Sequence, residues 1–237
     1  ILYVPEASVK TYKNAWPQYA EHIQTLDQKP TGIIEVVLTE PGTLAEKLGL
    51  TITDTNPLII DGNYSKYDSL KIAGPVNGTD IGVIRIMAGR DVDNCEDVHP
   101  RNLKYLDLYD ATICTDPDNI CFNRDGKNHY VKNDNEIPGY MFWKLDKLQT
   151  VILPKNVTKI DDNAFYDCLN IETIVVGDST TYIGNDAFGK CKNLKNIVFL
   201  CNEKPKLDGD VFTDPVSDQP YQVEKMYVPL SMHNAYV

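Results

Sequence analysis

A 23-residue period in the C-terminal half restricts this chain more than any other feature. Leu148-Gln-Thr-Val151-Ile-Leu153 recurs as Ile171-Glu-Thr-Ile174-Val-Val176 and as Leu194-Lys-Asn-Ile197-Val-Phe199. A second block follows each of the first two hexads: Ile160…Ala164-Phe165…Cys168, then Ile183…Ala187-Phe188…Cys191. A period of this length means one supersecondary unit per copy. Such units are stable only when stacked, each covering its neighbour's apolar face. The expected product is a solenoid with a parallel strand ladder, and solenoids of this kind are platforms.

Weaker copies of the hexad extend the pattern in both directions. Tyr67-Asp-Ser-Leu70-Lys-Ile72 and Leu103-Lys-Tyr-Leu106-Asp-Leu108 precede the regular copies, and Val223-Glu-Lys-Met226-Tyr-Val228 follows them. All have apolar residues at the first, fourth and sixth positions. The fourth and sixth obey the period-two rule of a strand with one buried face, and the first belongs to the turn that enters it. Spacings between copies are 36, 45, 23, 23 and 29 residues, so insertions fall mainly early. Thr79 to Ala88 reads as a short helix with Thr79 as N-cap. Residues 114 to 135, rich in Asp, Asn and Gly, read as an exposed loop. Thr43-Leu-Ala-Glu-Lys-Leu48 reads as a helix that covers the N-terminal end of the stack.

The opening segment echoes the end of the chain. Leu2-Tyr3-Val4-Pro5 matches Met226-Tyr227-Val228-Pro229. Residues 1–26 are therefore expected to be the terminal strand and helix of an upstream repeat block, the helix carrying Val9, Tyr12, Ala15 and Trp16. Residues 27–31 form a linker, and 32–237 form the repeat domain, with a cap over 32–66 and repeats over 67–237. Ile1 onward resembles the interior of a folded domain, so a leader is expected upstream.

With a formal net charge of -11, the chain is a poor partner for nucleic acid or an anionic membrane surface. No apolar run approaches the roughly eighteen residues a membrane span requires. The six cysteines fit neither a disulfide-dense mini-domain nor a paired CxxC zinc site. Cys168 and Cys191 occupy equivalent repeat positions, where a free thiol serves as small apolar filler. Cys114 and Cys121 flank a loop and are better placed for a disulfide.

Leu148-Gln-Thr-Val-Ile-Leu-Pro154, followed by Val157-Thr-Lys-Ile160-Asp-Asp-Asn-Ala164-Phe165-Tyr-Asp-Cys168 and its second copy to Cys191, resembles the BspA-like leucine-rich repeats. These occur in surface proteins of Bacteroides-type bacteria and in some protozoa. Leu70 to Asp80 is similar to their opening repeat, and the terminal Tyr-Val-Pro signature also looks like theirs. The resemblance covers most of residues 32–237. It implies an α/β horseshoe with a parallel ladder, short helices and an N-terminal capping helix. It also implies an extracellular or surface-anchored protein that binds proteins or host components, with no cofactor and no catalytic residues. The long insertions before Leu148 depart from the pattern.

No other motif points to an enzyme. The acidic runs Asp91-Val-Asp93-Asn94-Cys-Glu96-Asp97 and Asp116…Asp118-Asn119 lack the glycine and the oxygen ligands of an EF-hand loop, and read as solvated. His22, His99, His129 and His233 show no zinc spacing, and no GxSxG, GxGxxG or Walker loop appears. One surface feature does follow from the repeat. Fifth-position side chains point away from the core in strict alternation, giving a column of Lys71, Asp107, Ile152, Val175 and Val198. Ile152, Val175 and Val198 are expected to form an exposed apolar stripe beside the polar column Gln149, Glu172 and Lys195, a candidate strip for a protein or host-surface ligand. β-Branched residues also simply suit a ladder. A glycan-binding accessory subunit is the alternative, with Tyr105, Tyr130, Tyr140 and Trp143 as candidate sugar platforms.

Overall fold

The computed structural model describes residues 2–4, 13, 23–25, 32–55, 58–64, 66–92, 102–124, 127–214, 219–220, 223 and 225–229. Its main ladder is a parallel run of seven strands in chain order. They are β1 (Ile34–Val37), β2 (Ser69–Val76), β3 (Tyr105–Asp107), β4 (Thr150–Ile152), β5 (Thr173–Val176), β6 (Asn196–Phe199) and β7 (Lys225–Tyr227). The short strand Ala111–Ile113 pairs off this path with the end of β2. Register follows the hexad. Leu70, Leu106, Val151, Ile174, Ile197 and Met226, all fourth-position residues, are successive Cα partners. The first five are fully buried, and Met226 on the last strand is 40% exposed.

Two further seams tie the rungs together. Glu136–Ile137, Lys159–Ile160, Tyr182–Ile183 and Lys206–Leu207 form a second parallel ladder in which Ile137, Ile160 and Ile183 are buried. Along the turns, the Phe142 N–H donates to Ala164 O at 2.9 Å, Phe165 N–H to Ala187 O at 2.8 Å, and Phe188 N–H to Val211 O at 3.0 Å. This backbone spacing carries a column of rings. Centroids are 4.8 Å apart for Phe142–Phe165, 5.6 Å for Phe165–Phe188 and 5.8 Å for Phe188–Phe212. Phe165 and Phe188, at equivalent places in the repeated block, are thus the middle of a longer stack.

Cys168 and Cys191 are free and buried, as the filler reading requires, and each thiol donates to the carbonyl one rung back (Phe142 O at 2.9 Å, Phe165 O at 3.2 Å). Cys114 and Cys121, the better-placed candidate pair, are also free. The Cys121 thiol instead lies 3.2 Å from His129 O.

The early insertions differ from expectation in three ways. First, β1 extends the ladder into the segment read as cap. Second, the second helix starts earlier: α1 is Leu44–Lys47 and α2 is Gly78–Met87, whose N-cap is Asn77 rather than Thr79. Asn77 wins because its side chain accepts the Asp80 N–H while the Asp80 carboxylate accepts the Asn77 N–H, a reciprocal capping box. Every residue of α2 except Thr79 is buried, so it is a core helix rather than an amphipathic one. Third, residues 114–135 are not merely an exposed loop. Phe122–Arg124 and Lys127–His129 form an antiparallel hairpin that buries Cys121 and Phe122, with Val131 buried just after. The Phe122 ring receives the buried Arg85 guanidinium at 4.3 Å, an arrangement that favours a desolvated cation.

Within residues 1–26, Leu2–Val4 pairs in parallel with Ile23–Thr25. The expected helix there, the linker 27–31, Cys95 and most of the 91–97 acidic run lie outside the described residues.

Candidate functional site

The outward column of the main ladder reads Glu35, Lys71, Asp107, Ile152, Val175, Val198 and Tyr227 in register. Its orientation agrees with the hexad, because the three aliphatics belong to an apolar cluster separate from the main core. Their exposure does not. Ile152, Val175 and Val198 are only 3%, 8% and 2% exposed, so the expected open stripe is a covered one. Tyr105 and Leu200 are buried with them, and Ile33, Tyr109 and Tyr227 pack against the group. These bulky neighbours come from other rungs, which is why a single hexad does not reveal them.

Beside the aliphatics the column turns polar, running from buried Asp107 through half-buried Lys71 to exposed Glu35. Burial raises the Asp107 carboxyl above its ordinary range, against the Tyr109 N–H, which it accepts at 2.9 Å, and the Lys71 charge. Tyr109 donates its hydroxyl to Asp178 at 3.2 Å, and burial with that carboxylate pushes the phenol up to about 12. Lys155 reaches Asp110 at 2.9 Å. Gln149, Glu172 and Lys195 precede their strands, at the margin of this face. Gln149 and Glu172 are exposed, and Lys195 lies 3.3 Å from Glu172.

The second acidic run is occupied by protein donors. Asp116 accepts the Asn119 N–H at 3.1 Å and its amide at 2.9 Å through one oxygen, and the Gly78 N–H at 3.1 Å through the other. Among the described residues, no group of three or more His, Cys, Asp or Glu side chains is placed to hold a metal ion.

The four aromatics singled out for glycan binding part company. Tyr105 is buried in the outward cluster, and burial moves its phenol far above the ordinary range. Trp143 is half-buried behind Phe122, at 5.4 Å between centroids. Tyr130 and Tyr140 both line a cleft of about 530 Å³ between the inserted hairpin and the first rungs of the second ladder. The cleft escaped sequence reading because its walls are an insertion and two-residue strands. One signal was present: Tyr140 stands 23 residues before Asn163, which stands 23 before Asp186. All three adopt left-handed backbone, with φ of 64°, 58° and 51°. Asn and Asp tolerate that region, whereas a bulky tyrosine is out of place in it.

Among the described residues, no helix is long and apolar enough to cross a membrane. No curated protein matches the chain. Residues 119–214 match the model of the BspA type leucine rich repeat region, in 6 copies. The three regular hexads, the second parallel ladder and the phenylalanine stack all lie within the matched residues, so over residues 119–214 the chain is similar to that family's repeat.

Proposed function

We propose that this chain is a non-enzymatic recognition module, displayed at or outside the cell surface, that adheres to protein or host-surface ligands. One observation carries the reading: three rung-to-rung seams hold side chains at a fixed spacing on a stiff support. Binding surfaces with pre-set side-chain positions lose little conformational freedom on association. Because Ile152, Val175 and Val198 are covered, the contact surface we propose is the polar column Gln149, Glu172 and Lys195, which remains accessible. The family match over residues 119–214 supports interaction rather than catalysis, and the net charge of -11 disfavours nucleic acid as partner. We further propose that residues 1–26 close an upstream repeat block.

The test is surface plasmon resonance of the whole chain over immobilised extracellular-matrix proteins, against a Gln149→Ala, Glu172→Ala, Lys195→Ala variant. Wild-type binding that the folded triple variant loses supports the column. Equal binding by both would remove it. Antibody labelling of intact cells checks display, and labelling only after lysis would contradict it.

A further inference from the structure

We propose that the cleft beside the inserted hairpin is a saccharide-binding site with Tyr140 as its aromatic platform. This deepens the recognition reading and rests on it, but it uses a different face from the polar column.

Size and lining chemistry come first. A cleft of about 530 Å³ falls within the range of small-ligand sites. Its aromatic side chains are Tyr130, Tyr140 and His129. Its charged side chains are three lysines (Lys127, Lys132, Lys159) and three acids (Glu136, Asp161, Asp162). In a chain of net charge -11, this local balance disfavours both an anionic and a cationic ligand. A neutral sugar suits it: the C–H face of the ring lies on an aromatic ring, and its hydroxyls both donate and accept.

The polar groups are held in place. Asn128 donates its amide to the Tyr130 hydroxyl at 3.1 Å, Asn133 donates to Glu136 at 2.8 Å, and Lys159 pairs with Asp161 at 3.3 Å. Tyr140 is held too, with its ring edge-on to His129 at 5.5 Å and to Trp143 at 6.2 Å. His129 in turn stacks on the buried Phe122 at 5.8 Å. The ring therefore presents to the cleft from a rigid aromatic bed.

The backbone supplies the independent observation. Three successive rungs turn through a left-handed residue at this position, and the two after Tyr140 use Asn163 and Asp186 for it. At φ 64°, Tyr140 accepts a conformation the fold would fill more comfortably with Asn. Residues kept in strained backbone cluster at ligand sites, where the side chain is retained for what it contacts.

The experiment is calorimetric titration of the whole chain with four neutral hexasaccharides: maltohexaose, cellohexaose, xylohexaose and mannohexaose. Wild type, Tyr140→Asn and Tyr130→Ala are compared. At least one sugar should bind wild type. Tyr140→Asn should weaken it at least about tenfold while melting no earlier than wild type, because the next two rungs already use Asn and Asp there. Tyr130→Ala should weaken the same sugar and gives a second reading if Tyr140→Asn proves unstable. Silence with all four sugars would overturn the site, as would unchanged affinity in both variants. Matrix-protein binding, measured in parallel, separates the two readings. If it survives while sugar binding fails, only the cleft is lost.

Discussion

Asp80 accepts the Leu44 N–H at 2.9 Å, so a residue in the first turn of α2 caps the start of α1. The same carboxylate accepts the Gly42 N–H at 2.7 Å and the Asn77 N–H at 3.1 Å. One buried acid thus fixes two helix starts against each other. Asp80→Ala should cost about 3 kcal/mol, since several buried donors lose a charged acceptor at once. Urea melts of the two proteins measure it.

Burial nevertheless raises the Asp80 carboxyl above 3.8, outweighing its hydrogen bonds from Leu44, Gly42 and Asn77. The native state therefore holds this proton more tightly than the unfolded chain. The associated stability is fully present below the unfolded value and is lost as pH rises through the native one. Wild type should lose ground relative to Asp80→Asn as pH rises from 3 towards 7. A pH-independent difference between the two would contradict the raised pKa.

Phe165 sits between Phe142 and Phe188 in the ring column and is fully buried. Phe165→Ala should cost roughly 3 to 5 kcal/mol, the transfer loss plus a cavity the flanking rings cannot fill. Phe212, half-buried at the end of the column, should cost less on the same substitution. Guanidinium melts that rank the two in the opposite order would show that the stack is not what holds the rungs.

The covered fifth-position column makes a similar demand. Replacing Ile152, Val175 and Val198 together by Thr should cost about 3 kcal/mol or more, because each added hydroxyl enters an apolar cluster. A triple variant as stable as wild type would mean the cluster opens to water in solution.

Thiol chemistry reads the same packing. Burial pushes Cys121 and Cys191 up to about 12 and Cys201 up to about 11, and raises Cys168 strongly. Only Cys114 among the five described thiols is partly exposed. Iodoacetamide at pH 8, followed by peptide mass mapping, should modify Cys114 well before the other four. Early labelling of Cys168 or Cys191 would place a thiol outside the core.

What the sequence revealed was whatever repeats. Leu106, Val151, Ile174 and Ile197 could be aligned by eye, and the ladder pairs those same residues. The second ladder was harder, because two-residue strands such as Lys159–Ile160 are too short to show a period, although Ile160 and Ile183 stand 23 apart. The cover over Val175 was not legible at all. It depends on Tyr105 and Tyr109, which no local pattern assigns to that spot. The cleft shares the difficulty, since Tyr130 comes from an insertion and Tyr140 from a rung. Asn77 is legible in the sequence, since Asn-Gly-Thr-Asp80 spells a capping box that Thr79 does not complete.

The backbone seams join each interior rung to the rung on either side. Pulled from its two ends, such a stack can part at one set of seams before the next is loaded. It can give up its outermost rung and leave the next intact. Each 23-residue rung released adds roughly 80 Å of slack to the tether. If the chain adheres as proposed, the load it carries would hang on a line that lengthens by instalments, absorbing a tug that a single brittle bond would pass straight to the point of attachment.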